Sequence, residues 1–131
     1  MKKDTKIVKA AVTNNGWALQ YADDELKENK KIVMAAVTNY GMALTYADDG
    51  LKKDYDIVMA AFKQFSYALE YADKELKEDK DFIMEVVTND GTALEYADEK
   101  LRDNYDIVGA AVKEDKTALQ YASDRLQELF S

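Results

Sequence analysis

The stretch "ALQYADDEL", Ala18–Leu26, decides how this chain is read. It returns as "ALTYADDGL" at 43–51, "ALEYADKEL" at 68–76, "ALEYADEKL" at 93–101 and "ALQYASDRL" at 118–126. Each copy starts 25 residues after the last, with no insertion. A fixed period of this length is the mark of a repeat architecture. The units run 4–28, 29–53, 54–78, 79–103 and 104–128, with a short C-terminal cap at 129–131. They fill nearly all of the 131 residues and leave no room for a linker, so one repeat domain over 1–131 is expected.

Each unit reads as two helical segments around a turn. Asp4, Asn29, Asp54, Asp79 and Asn104 stand just before an apolar pattern, where Asp and Asn cap helices by accepting orphan backbone N–H groups. Ile7, Val8, Ala11 and Val12 then share one helical face. Gly16, Gly41 and Gly91 follow, and a left-handed turn is expected at them. Ser66 and Lys116 replace that glycine in units three and five, so strain or a different turn is expected there. Ala18, Leu19, Ala22 and Leu26 suit a second helix over about 17–28. Asp23, Asp48, Asp73 and Asp98 either ride on its outside or cap a fresh turn.

Helices of about ten residues are marginal alone, so stability has to come from junctions between stacked units. The expected fold is all-α, an α-solenoid of five 25-residue helix-turn-helix repeats. With packed helices roughly 8–10 Å apart, it would extend on the order of 50 Å. Lys9 replaces the methionine of units two to four, a polar first cap. Leu129 and Phe130 are placed to fold over the last apolar face.

The unit, above all "NKKIVMAAVTNYGMALTYADDGLKKD" at 29–54, resembles the bacterial helical repeat family called domain of unknown function 4116. Family members are similar to tandem copies of "DKEVVLAAVKQNGxALxYASEELK". The resemblance covers nearly the whole chain. It implies an all-helical array of the kind found in bacterial or phage-related proteins, secreted effectors among them, and it brings no catalytic residues. The chain departs by carrying Asp after "YA" where the family often has Ser; Ser123 alone keeps that serine.

Composition narrows the chemistry. There is no Cys and no His, which removes thiolate sites and the commonest general base and metal ligand. Ser66, Ser123 and Ser131 are the only serines, and none lies in a nucleophile motif. No P-loop, dinucleotide fingerprint or calcium loop is present. The expected protein is not an enzyme and needs no cofactor or metal. Carboxylates are plentiful but none stands apart, except Glu85, which takes an alanine position at the edge of the apolar stripe and is read as reaching water. The start lacks an apolar run, so neither a signal peptide nor a membrane span is expected. A cytoplasmic location, or export by a bacterial injection machine, follows.

Net charge is −8, unevenly placed. Residues 1–65 hold 10 Lys against 9 acids, while 66–131 hold 8 Lys+Arg against 17 acids. Direct binding to nucleic acid or anionic membrane is disfavoured. The ladder Tyr21, Tyr46, Tyr71, Tyr96 and Tyr121 is read as packing, with hydroxyls satisfied at the rim.

Where units differ, a partner can be read. The inter-helix turns offer Trp17 in unit one, Tyr40 and Met42 in unit two, and Phe65 and Tyr67 in unit three. Units four and five offer Asp90 and Asp115, which with Asp98 form the expected acidic surface. The expected function is a protein-interaction module that binds through Trp17, Tyr40, Met42, Phe65 and Tyr67. Its acidic half would steer a basic partner. The alternative is a small acidic inhibitor that mimics nucleic acid, of a phage anti-defence type, and binds a basic nucleic-acid-binding protein.

Overall fold

A computed structural model describes residues 4–131, and every regular element among them is helical. The five capping residues begin five ten-residue α-helices: Thr5–Asn14, Lys30–Asn39, Tyr55–Gln64, Lys80–Asn89 and Tyr105–Glu114. Asp4, Asn29, Asp54, Asp79 and Asn104 each accept the backbone N–H three residues on, at 2.9–3.2 Å. Each helix stops at one residue of extended backbone, with φ between −146° and −156°.

The second half of the unit is not one helix. A 3₁₀ helix comes first, over Gly16–Tyr21, Gly41–Tyr46, Ser66–Tyr71, Gly91–Tyr96 and Lys116–Tyr121. The chain then extends, for two residues in four of the repeats, and makes a further short helix: Asp24–Lys27, Leu51–Lys53, Lys74–Lys77, Glu99–Arg102 and Asp124–Phe130; in repeat two a turn at Asp49 and Gly50 comes between. Three residues per turn eclipse side chains at i and i+3, so Gly41, Leu44 and Ala47 form one buried row. The aspartate after "YA" is the cap of the fresh turn. Asp23 accepts from Glu25 N–H, Asp48 from Gly50 N–H and Asp98 from Lys100 N–H. Ser123 does the same for Leu126, so the departure from serine leaves the capping intact.

The expected left-handed glycine turn is absent: no described residue has positive φ. Gly16, Gly41 and Gly91 instead allow close approach between repeats. A Cβ at each would lie 2.2, 2.6 and 2.2 Å from the carbonyl oxygen of Ala36, Ala61 and Ala111 respectively, in the long helix of the next repeat. Ser66 and Lys116 start the same 3₁₀ helix without positive φ, so the strain expected there is absent too.

The chain falls into two compact units, one ending at Asp73 and the other running Lys74–Ser131. In the first, the long helices of repeats one, two and three pack in sequence, and so do their 3₁₀ helices. In the second, repeats four and five pack the same way. Two kinds of hydrogen bond mark these junctions. Gly16 N–H donates to Asn39 Oδ1 at 2.6 Å, Gly41 N–H to Gln64 Oε1, and Gly91 N–H to Glu114 Oε1 at 2.9 Å. Backbone bonds tie the short helices, from Asp48 N–H to Lys27 O, Asp73 to Lys52, Asp98 to Lys77 and Ser123 to Arg102, at 2.9–3.0 Å.

The core is mostly aliphatic, with Ile32, Leu44, Ile57, Leu94 and Ile107 closed to solvent, and Phe62 and Phe82 are buried with them. Two expected core contacts are looser than the sequence pattern suggests. Ile7 is 51% exposed, because the face its equivalents bury against a preceding repeat is open in repeat one. Phe130 does fold back, its ring 5.1 Å from that of Tyr105, but Leu129 points to solvent. Glu85 is exposed, as read.

Candidate functional site

The site is built on the residue that ends each long helix. Its extended backbone turns its side chain away from the core, and it is also the N-cap of the 3₁₀ helix. A short polar side chain there can bond the free N–H two residues on. Asn15 does so for Trp17 at 3.2 Å, Asp90 for Thr92 at 3.1 Å and Asp115 for Thr117 at 2.9 Å. Tyr40 and Phe65 occupy the same position and make no side-chain cap. Their Cβ atoms lie against Gly16 and Gly41, while the residues remain 37% and 49% exposed.

Two residues further on, Trp17 and Tyr67 are 46% and 45% exposed. Trp17 Nε1–H donates to the Tyr46 hydroxyl at 3.1 Å, which joins repeat one to repeat two. Its ring meets Tyr21 edge-on at 6.2 Å. Tyr67 is flanked by Phe65 at 6.1 Å and Tyr71 at 6.2 Å. Such aromatic contacts hold rings in place at low entropic cost. Met42 is half-buried and adds only an edge. Trp17, Tyr40, Phe65 and Tyr67 therefore share the turn side of the first unit, and Tyr21, Tyr46 and Tyr71 extend it.

The acidic residues separate. Asp90 and Asp115 sit at matching cap positions of adjacent 3₁₀ helices in the second unit. Each also accepts a threonine hydroxyl at 2.7 Å. Asp98 lies elsewhere, capping a short helix beside Lys100. The Thr117 hydroxyl and N–H hold the Asp115 carboxyl below its usual range.

Sequence reasoning missed a clasp on the opposite part of the first unit. Lys30 Nζ lies 3.2 Å from both Asp54 and Asp56. Burial pushes the Asp54 carboxyl up, but the Ile57 N–H and the Lys30 ammonium outweigh it, and the net shift is downward. Asp103 is lowered too, by the Ser123 hydroxyl and then Arg125. Depressed carboxyls contribute stability that is complete above the ordinary value of about 4 and lost as pH falls through the folded value. The urea midpoint should thus hold from about pH 6 to pH 4 and fall below it. Asp54→Asn and Asp103→Asn should flatten that fall.

Among the described residues, no group of three or more Asp or Glu is arranged to hold a metal ion. No helix among them is long and apolar enough to cross a membrane.

The sequence model of the domain of unknown function 4116 (DUF4116) matches residues 4–52, 29–77 and 79–127. The chain belongs to the DUF4116 family. Each DUF4116 match begins at a long-helix N-cap and spans two 25-residue units, so the family pattern contains one whole junction. No curated protein and no solved structure matches the chain. Tyr40 and Phe65 stand out against the capping residues Asn15, Asp90 and Asp115 of this same chain. The structural partner the sequence did not single out, Tyr46, is a member of the regular tyrosine ladder, and regularity hid it.

Proposed function

We propose that this DUF4116 protein is a non-enzymatic interaction module that holds another protein against the aromatic turn side of its first unit. One observation carries the reading. At two of five equivalent positions a capping side chain, worth about 1 kcal/mol, is given up for an aromatic ring that stays exposed. Trp17 and Tyr67 lie beside those rings, and Trp and Tyr are the residues that dominate binding energy at interfaces. The acidic second unit supports a basic partner, since Asp90 and Asp115 add charge at matching turns.

The test begins with a partner captured from the source cell on the wild-type protein. It is then titrated against a variant carrying Trp17→Ala, Tyr40→Ala, Phe65→Ala and Tyr67→Ala. Affinity should fall by at least ~30-fold, the equivalent of one residue of about 2 kcal/mol, with melting and circular dichroism little changed. Binding by the parent should depend weakly on salt. A folded variant with unchanged affinity, together with steep loss in salt, would instead establish the acidic mimic of nucleic acid.

A further inference from the structure

Asn15–Gly16 is the one Asn-Gly pair in the chain. Asparagine is a thermolabile residue. It is most so before glycine, whose nitrogen has no Cβ beside it and can reach the asparagine Cγ. The reaction needs only water. The Gly16 nitrogen gives up its proton and bonds to Asn15 Cγ. The side-chain nitrogen takes a proton from water and leaves as ammonia, and a five-membered imide remains. Water then opens one or the other carbonyl of the imide, giving aspartate or isoaspartate. An amide nitrogen has been exchanged for a water oxygen, and nothing is oxidised or reduced.

The fold holds this reaction off. Gly16 is buried and its N–H donates to Asn39 Oδ1 at 2.6 Å, so the attacking nitrogen keeps its proton. Asn15 Oδ1 accepts from Trp17 N–H at 3.2 Å, which turns the side chain toward the residue beyond the glycine. At Asn15 ψ is 95°, and this sets Cβ and the Gly16 nitrogen on opposite sides of the Cα–C bond. The imide ring needs them on the same side. Rotating ψ that far pulls Gly16 off Asn39 and away from the Ala36 carbonyl, both of which belong to repeat two. Asn15 itself is exposed, so water is at hand once the junction opens.

One product suits the fold. Asp90 and Asp115 hold the position of Asn15 in repeats four and five and cap through the N–H two residues on. Isoaspartate instead lengthens the main chain by one carbon, so Gly16 and Trp17 lose their register against repeat two.

We propose that Asn15 is a deamidation site whose rate is set by the opening of the junction between repeats one and two. Its conversion adds a negative charge beside Trp17 and records how much of the time that junction has been open.

The experiment incubates the full chain at mildly alkaline pH, native and in urea. Peptide mapping by mass spectrometry follows each asparagine, with aspartate and isoaspartate separated by chromatography. In urea Asn15 should convert before any other asparagine. In the native protein it should convert at least ~10-fold more slowly, a factor that corresponds to an opening of about 1.4 kcal/mol. Asn39→Leu removes the acceptor of the Gly16 N–H and should move the folded protein toward the urea rate. Asn39→Gln keeps an acceptor, as Gln64 does for Gly41, and should stay near wild type. A native rate equal to the urea rate overturns the proposal. So does a folded Asn39→Leu that converts no faster than Asn39→Gln, or another asparagine that converts before Asn15 in urea. If Asn39→Leu does not fold, native against unfolded wild type still decides.

Discussion

Gly91→Ala is expected to lower the stability of the second unit by about 3 kcal/mol, at the upper end of overpacking effects. The reason is the 2.2 Å separation between a Cβ there and the Ala111 carbonyl oxygen, which belongs to rigid helical backbone rather than to a side chain that can swing away. Relief requires the 3₁₀ helix to retreat from the long helix of repeat five. That retreat lengthens the bond from Gly91 N–H to Glu114 and opens Leu94 to water. Gly109→Ala is the control. Gly109 lies inside the long helix of repeat five, and a Cβ there meets only Phe130, at an ordinary 3.5 Å. Replacing a mid-helix glycine by alanine should add roughly 0.5–1 kcal/mol. Opposite signs from one chemical change, read by chemical denaturation, would establish that these glycines serve approach and not turn conformation. Equal effects at the two sites would contradict it.

The second large effect is expected at the leucine of the 3₁₀ helix. Leu44 is closed to solvent between the long helices on either side of its junction. Leu44→Ala removes its transfer energy and leaves a cavity, at a cost of about 3–4 kcal/mol. Leu119 holds the same place in repeat five but is partly open, so Leu119→Ala should cost about half as much, because water already reaches part of the site. The pair of denaturation curves measures how much of a repeat's stability its following neighbour supplies. Equal losses would mean that each repeat is stable by itself.

The period, the five long helices and their caps were legible in the sequence because each rests on local chemistry: an Asp or Asn, then apolar residues at helical spacing. The 3₁₀ helix was not legible from "ALQYADDEL". Ala18, Leu19, Ala22 and Leu26 suit a helical stripe, whereas Gly16, Leu19 and Ala22 at intervals of three suit the tighter form, and the string satisfies both. The glycine role was misread for a similar reason. Glycine after a helix suits a left-handed turn or a close approach, and only the position of the Ala36 carbonyl tells them apart. The aromatic turns were found by comparing units. The Trp17–Tyr46 bond was not, because Tyr46 looks like every other tyrosine of the ladder. Asp98 was grouped with Asp90 and Asp115 on charge alone, and the break after "YA" sends it to a different row.

The glycine hydrogen bonds carry a consequence for how the chain is made. Each reaches a partner 23 residues downstream. A growing chain therefore cannot satisfy the glycine N–H of one repeat until the end of the following long helix has left the ribosome. Synthesis then meters assembly, one junction for each 25 residues added, and no step waits for a contact from the far end of the sequence. Such short-range wiring is what lets helical repeats fold quickly despite helices too short to stand alone.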